Sequence, residues 1–309
     1  MGSLNKLISK ILARRHSTVL PKLISPSQQA SVRGRQISEA GLIAFELLDS
    51  RKNSRKPGLM FKLDIERAFD NVSWSCLFKV MDSLGFPKKW CDWIRGTMCS
   101  PMISTIINGE AKGFFKTSKG LRQGDPLSPG LFTMIMELLS FLLNKLKEDG
   151  KIRGFCMNES NGDGEVTHLL FVDDTLIFCE ASYDEVLYIL AALVCFKAIT
   201  GLKINLEKSI MIPVGDVPNP DYFAALFGCN RSREVSKYLV FPLGAKVNSS
   251  TIWEPIIDKF ERRLAGWKCR YLSLGGRLVL NNAVLTSQPV YYFSLFRAPR
   301  GTINRLERI

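Results

Sequence analysis

A chain of 309 residues, 46% of them apolar, can bury a full core and has room for two or three subdomains. Its longest apolar run, Val186 to Phe196, is too short for a membrane-spanning helix, and its eight cysteines form no C-x-x-C pair, with only His16 and His168 to assist them. Composition therefore excludes a span at that run and a zinc module, and fits a reduced intracellular protein. The net charge of +13 is unevenly spread: residues 1–60 carry 11 basic and 3 acidic groups, residues 61–230 carry 17 and 21, and residues 231–309 carry 14 and 5. Basic flanks around an acidic centre suit a protein whose flanks hold phosphates and whose centre holds metal, although a generically basic surface gives the same totals.

Leu4, Leu7, Ile8, Ile11 and Leu12 fall at helical spacing among Lys6, Lys10, Arg14 and Arg15, which predicts an amphipathic helix over residues 4–14 and no secretory signal. A basic loop with Arg33 and Arg35 leads to a second helix over residues 38–48. In the next segment Leu59, Phe61, Leu63 and Ile65 alternate with Met60, Lys62 and Asp64, so a strand is expected with Asp64 near its end on the side away from the core. Ser73 can cap a helix over residues 74–84 that Gly85 stops, and Pro87 opens another running through Trp93 to about Met98. Residues 102–107 and 113–117 read as a hairpin around Asn108-Gly109. The loop from Lys119 to Pro129 has two glycines that let backbone approach a ligand, and its Asp125-Pro126 and Ser128-Pro129 pairs announce a helix over residues 129–147. A polar turn over residues 159–165 precedes four apolar residues, Leu169 to Val172. These end at Asp173-Asp174 before apolar residues resume at Leu176 to Phe178, as strand, tight turn, strand. The apolar helix after Ser182 should be buried beneath the sheet. Helices over residues 252–267 and near 277–286 follow, and the chain stops inside what reads as another.

Adjacent carboxylates at a hairpin tip repel each other unless solvent or a cation sits there. Asp is also a favoured turn residue, and an isolated Asp-Asp pair between strands is an ordinary solvated turn. A third carboxylate, Asp64 at the end of another strand, changes that reading. Carboxylates from separate strands can hold two divalent ions about 4 Å apart, the arrangement used in two-metal phosphoryl transfer.

Four segments carry a family resemblance. Residues 61–74 (FKLDIERAFDNVSW), 119–129 (KGLRQGDPLSP), 168–174 (HLLFVDD) and 201–209 (GLKINLEKS) are similar, in that order, to motifs A, B, C and D of the reverse transcriptases of non-LTR retrotransposons, particularly the plant LINE type. The similarity runs nearly end to end. It implies an α+β right-hand polymerase fold: a palm with a small antiparallel sheet backed by helices (residues 61–248), partial fingers (residues 1–60) and a truncated helical thumb (residues 249–309). It also implies RNA-directed DNA polymerase activity on an RNA template, a DNA primer and deoxynucleoside triphosphates. Two magnesium ions (Mg2+) would be held by Asp64, Asp173 and Asp174 with the backbone carbonyl of Ile65. Lys208, or alternatively Lys203, would protonate or stabilise the pyrophosphate leaving group. Gln123 and Gly124 would line the nucleotide pocket, with Arg122 and Arg35 as phosphate or template contacts, and Phe69, five residues after Asp64, would close off the sugar 2′ position. Tyr238 and Leu239 fall in a segment that resembles the primer-grip hairpin (residues 237–244). Arg262 and Arg263, with Lys259, Lys268 and Arg270, would contact nucleic-acid backbone from the thumb.

The chain departs from the family's pattern at three places. Ser31 stands where relatives usually have an aromatic, Arg33 where they often have proline, and Val240 where they usually have glycine. These departures, and the reading of the chain as a fragment, support an alternative: an inert piece that keeps the fold and binds nucleic acid. A host-adapted binding or splicing-type protein on the same fold is a third reading, for which the sequence offers no positive sign.

Overall fold

The computed structural model describes residues 3–99, 102–158, 164–232, 237–238, 241–242, 253–265, 273–280, 282–283, 290–293 and 296–308. Its first half runs α1 (Ser3–His16), α2 (Leu20–Leu23), α3 (Ile37–Asn53), β1 (Gly58–Leu63), α4 (Trp74–Ser83), α5 (Lys88–Cys99), β2 (Met102–Ile107), β3 (Glu110–Lys116) and α6 (Ser128–Glu148). The second half runs β4 (His168–Phe171), β5 (Asp174–Glu180), α7 (Tyr183–Thr200), β6 (Ile210–Val214), α8 (Pro220–Phe227), β7 (Asn230–Arg231), β8 (Lys237–Tyr238) and β9 (Phe241–Pro242). The described residues at the end of the chain form α9 (Glu254–Ala265), α10 (Leu274–Leu280), α11 (Val290–Phe293) and α12 (Arg300–Arg308).

Strand β1 lies at the centre of a five-stranded sheet ordered β4-β5-β1-β6-β7. It pairs antiparallel with β5 from Gly58↔Glu180 to Leu63↔Thr175 and with β6 from Gly58↔Val214 to Lys62↔Ile210. The antiparallel expectation holds for four strands, while the two-residue β7 adds to β6 in parallel, so the sheet is mixed. A strand with neighbours on both edges has every ladder bond made, and its side chains then decide which face each residue serves. The odd-numbered residues Leu59, Phe61 and Leu63 enter the large core with α4, α6, α7 and α8, where Phe61 stacks on Phe227 at 4.2 Å between ring centroids.

The other face corrects the sequence reading. Met60 is fully buried, in a second core made with Leu176, Phe178 and Ile212 of the sheet and Ala40, Ala44, Leu47 and Leu48 of α3. Only Lys62 and Asp64, toward the end of that face, are partly open to solvent. Helix α7 differs in the opposite direction: Val186, Ile189, Leu193 and Phe196 are buried, but Leu187, Val194 and Ile199 are exposed. An all-round apolar sequence hides which face packs, and here only one does. Helix α6, the one described helix long and apolar enough to cross a membrane, contributes Leu131, Phe132, Ile135, Met136 and Leu139 to the core.

Local signals behave as their chemistry dictates. Ser73 Oγ accepts from the Cys76 N–H at the start of α4, and Asn108 and Gly109 both adopt positive φ (53° and 84°) at the β2–β3 turn. The second strand of that ribbon begins at Glu110, three residues earlier than expected. Helix α1 is fastened to the rest by Ser9, whose Oγ donates to Asp125, and by His16, which stacks on Trp90. Helices α9, α11 and α12 share a third, smaller core of Trp253, Ile256, Ile257, Phe260, Tyr292 and Phe296, which meets α3 through the edge-on contact of Phe45 with Phe296. The predicted polar turn over 159–165 lies mostly outside the described residues, as do residues 281 and 284–286 of the helix expected near 277–286.

Candidate active site

The turn between β4 and β5 consists of Val172 and Asp173, because Phe171 pairs with Asp174. Val172 has φ 57°, a left-handed conformation that a β-branched side chain adopts only under constraint, at a cost on the order of 1–3 kcal/mol. Backbone strain of this kind concentrates at functional sites. One step beyond the last pair of the β1–β5 register, Asp64 stands opposite Asp174. Asp173 is exposed at the tip, whereas Asp174 is half-buried. Burial raises the Asp174 pKa, and the charges of Asp173 and Asp64 raise it further while Lys62 lowers it. The three carboxylates are thus close enough to feel one another, in an arrangement that like charge disfavours and a divalent cation would relieve. Among the described residues no three His, Cys, Asp or Glu side chains already converge as a metal-holding group.

The end of motif A is clamped by motif D. Asn205 N–H donates to the Asp64 carbonyl at 2.8 Å, Glu66 N–H donates to the Lys203 carbonyl at 2.8 Å, and Ser209 Oγ accepts from Asp64 N–H at 3.2 Å while donating to the Asn205 carbonyl at 2.7 Å. This bridge pairs Ile65 with Ile204 yet uses the Asp64 carbonyl and the Glu66 N–H, so the Ile65 carbonyl takes no part in it. Of the two candidate lysines, Lys203 is paired with Glu66 at 3.3 Å, and Lys208 is exposed. Ser209 and Asn205 were not legible as site residues, since a short polar residue in a loop carries no periodic signal.

Motif B docks on the turn that follows motif A. Gly120 N–H donates to the Val72 carbonyl, Leu121 N–H donates to the Phe69 carbonyl, and Trp74 Nε1 donates to the Gly120 carbonyl. The docking requires glycine: Gly120 has φ 90°, and a Cβ there would stand 2.7 Å from the Asp70 carbonyl oxygen. Gly120→Ala is therefore expected to destabilise the chain by about 2–4 kcal/mol in urea denaturation, and an unchanged midpoint would contradict this packing. Beside the dock lies a cavity of about 310 Å³ lined by Asp70, Trp74, Lys119, Arg122, Gln123 and Asp125, among others. Arg122 and Gln123 thus share one recess, and Gly124 (φ 79°) sits beside it in open space. The three carboxylates do not line it. Phe69 is half-buried, its ring stacked on Phe132 of α6 at 4.9 Å between centroids.

The remaining candidates are placed differently from one another. Arg35 directs its guanidinium at its own loop, donating to the carbonyls of Ser25 (2.6 Å), Ile24 (2.9 Å) and Gln28, so its charge is engaged in holding residues 24–35 together. Arg33 is exposed. That loop also bridges to the edge of β4, through Leu170 N–H to the Ser27 carbonyl and Gln29 N–H to the Leu170 carbonyl. Tyr238 is fully buried in the second core near Asp174, with burial the chief cause of its raised pKa and no partner for its hydroxyl among the described residues. Leu239 and Val240 lie outside the described residues, as do Lys268 and Arg270. Arg262 is exposed, with Nε donating to the Asp258 carbonyl, Lys259 is exposed too, and the side chain of Arg263 is not described.

Residues 2–215 match the protein family described as Reverse transcriptase (RNA-dependent DNA polymerase). The chain belongs to the reverse transcriptase family. Among relatives of this reverse transcriptase is the Retrovirus-related Pol polyprotein from type-1 retrotransposable element R2 of Popillia japonica, 30% identical over 69% of the chain and 29% of the relative. Another is the Transposon TX1 uncharacterized 149 kDa protein of Xenopus laevis, 24% identical over 98% of the chain and 23% of the relative. The chain spans less than a third of the length of either, and is a reverse transcriptase domain of the non-LTR retrotransposon kind. A telomerase from Candida tropicalis, solved with a fragment of telomeric RNA, superimposes with a TM-score of 0.51 at 13% identity, covering 96% of this chain and 49% of that one. At that identity the likeness speaks for the fold alone, and the fold is the one expected.

Proposed function

We propose that this domain extends the 3′-hydroxyl of a DNA primer with deoxynucleotides on an RNA template, inside a cell, as part of a plant LINE-type element. The observation that carries the reading is the meeting of Asp64, at the end of β1, with Asp173 and Asp174 at the strained β4–β5 turn. The plant assignment rests on the motifs and on 45% identity over 78 residues with an uncharacterized mitochondrial protein of Arabidopsis thaliana.

Asp64, Asp173 and Asp174, with the carbonyl of Ile65, have the oxygen donors and the mutually repelling charges, offset in part by Lys62, that suit two magnesium ions. When bound, such ions would activate the attacking hydroxyl and neutralise charge on the leaving group. The protein's own part is positioning. The Ser209 and Asn205 bonds fix Asp64 on one side, and the pairing of Phe171 with Asp174 fixes the turn on the other. Gln123, Gly124 and Arg122 border the nucleotide's recess, Lys208 is the exposed cation that meets the pyrophosphate, and the segment with Tyr238 and Leu239 supports the primer strand through its backbone, anchored by the buried Tyr238 ring. Residues 1–60, 61–248 and 249–309 act as fingers, palm and thumb, the last contributing Arg262 and Arg263 to the duplex backbone. Arg35 acts on template or nucleotide through the loop it holds closed.

Phe69 is assigned as the side chain that excludes a ribose 2′-hydroxyl. Phe69→Ala is expected to lower the preference for deoxynucleotides over ribonucleotides at least about tenfold, measured by competing the two in single-nucleotide extension. It also loses the stacking on Phe132, at about 0.5–1.5 kcal/mol. Lost stability with unchanged sugar preference would make Phe69 a packing residue only.

The reading is tested by extension of a DNA primer on an RNA template with magnesium and deoxynucleotides, comparing the chain with its Asp173→Asn, Asp174→Asn double variant. Extension by the parent alone supports a polymerase with this carboxylate site. If both bind the duplex and neither extends it, the chain is an inert relic of the family.

A further inference from the structure

Among the described residues the ribbon of β2 and β3 pairs with no other strand, and β3 is exposed along its whole length. A lone two-stranded ribbon is marginal in water. This one nevertheless exposes Met102, Ile106, Ile107, Phe114 and Phe115, the two phenylalanines at 63% and 49%. The register shifts between the Ile103 and Thr105 pairings, where Gly113 has φ 66°, and Phe114 and Phe115 beside that irregularity both stand in solvent. An exposed apolar surface of this kind marks a site of interaction.

Charge and position say what covers it. Lys112 is paired with Glu110 at 3.2 Å, and Lys116 adds an exposed positive charge at the end of the ribbon. A second copy would set the same lysine, on a chain of net charge +13, against itself. A polyanion complements both. The ribbon also runs directly into the candidate site: β3 ends at Lys116, and Thr117, Lys119 and Gly120 already line the cavity beside motif B. Flat aromatic side chains beside lysines form the surface on which unpaired bases stack while phosphates are neutralised.

We propose that the β2–β3 ribbon binds single-stranded polynucleotide, with Phe114 and Phe115 as stacking platforms and Lys116 as a phosphate contact. It receives the unpaired template strand before that strand reaches the motif B cavity. The identity of the strand as template rests on the polymerase reading, whereas the surface itself does not depend on catalysis. Phe114, Phe115 and Lys116 lie outside all three core clusters, so their substitution leaves the fold intact.

The test is fluorescence anisotropy with a labelled RNA–DNA duplex, either blunt or carrying an unpaired RNA 5′ extension of about eight nucleotides. The extension is expected to tighten binding to the parent, and the Phe114→Ala, Phe115→Ala double variant to lose at least about tenfold of that gain with blunt-duplex affinity unchanged. Lys116→Gln should reduce the salt dependence of extension binding by about 0.7 in the log–log slope. An equal gain in parent and double variant, or no gain in the parent, overturns the proposal. So does a parent dimer that the same phenylalanine substitutions dissociate, since the ribbon would then join two copies. A chain that never extends a primer but binds single-stranded RNA through these phenylalanines keeps the ribbon and loses the polymerase. Primer extension with a gain insensitive to them has the reverse meaning.

Discussion

An Asp173→Asn chain is expected to lose primer extension by at least about a thousandfold while melting, without divalent cations, at or above the temperature of the parent. The two halves of this prediction come from the same charge. Asp173 sits at the exposed tip of the turn, and its carboxylate, with that of Asp64, pushes the neighbouring Asp174 pKa up, beyond the larger rise that burial causes. Replacing it with asparagine keeps the shape and removes one repulsive charge, so the cation-free fold is relieved. A structural residue behaves differently, because its loss lowers stability and activity together. Adding magnesium is expected to reverse the order, raising the melting temperature of the parent more than that of the variant. Parallel scanning calorimetry and extension assays on both chains check it, and a variant that melts well below the parent without cation would show that Asp173 holds the turn together instead of serving it.

The position of this carboxylate was readable because period-two alternation and turn chemistry are local. Asp173-Asp174 interrupts an apolar run, and the structure turns the chain there, with the register of β1 and β5 bringing Asp64 opposite Asp174. The same locality explains the helix termini at Ser73 and Gly85 and the Asn108-Gly109 turn, where one side chain or one φ angle settles the geometry. What could not be read is what depends on packing at long range. Met60 looks like the outward residue of a half-buried strand, yet α3 arrives from the first sixty residues to cover it. Val194 lies within an unbroken apolar run and is exposed, since hydrophobicity alone does not say which side of a helix meets the sheet.

The same division runs through the site. A guanidinium in a glycine-containing basic loop resembles a phosphate contact, and only the fold reveals that Arg35 faces three carbonyls of its own loop. Tyr238 sits in a segment that resembles a primer-contacting hairpin, yet its ring is closed into the second core. Ser209 and Asn205, which fasten Asp64, are separated from it by more than 140 residues, and hydrogen bonds of that span leave no mark on hydropathy. Family motifs indicated which segments meet, and the hydrogen bonds give the means by which they are held.

His168 belongs to that second kind, and it carries the largest expected dependence on pH. Its ring is buried between Ser140, whose Oγ lies 2.7 Å from Nε2, and Thr167, whose Oγ1 lies 2.9 Å from Nδ1, and Ser25 donates in turn to Ser140. Burial, with a smaller contribution from Lys147, lowers its pKa to about 4, and burial lowers that of His16 to about 4 as well. The unfolded chain binds these protons near pH 6.5 and the folded chain does not. The stability each ring confers is therefore fully present above pH 6.5 and is lost as pH falls toward 4, amounting to roughly 3 kcal/mol per histidine. Asp174, Glu137 and Glu185, each raised by burial, work in the opposite sense, so the net curve of the parent mixes both signs. A difference measurement separates them. His168→Gln keeps a hydrogen-bonding side chain between the two hydroxyls and removes one titration, so urea denaturation at pH 7 and pH 4.5 should show the variant losing less stability than the parent across that interval. The same pH dependence in both chains would mean that His168 protonates without unfolding β4. Because β4 runs from His168 straight into Val172 and Asp173, an imidazolium forced into that pocket would disturb the turn that carries the carboxylates. Extension by the parent should accordingly fail on the acid side sooner than extension by His168→Gln.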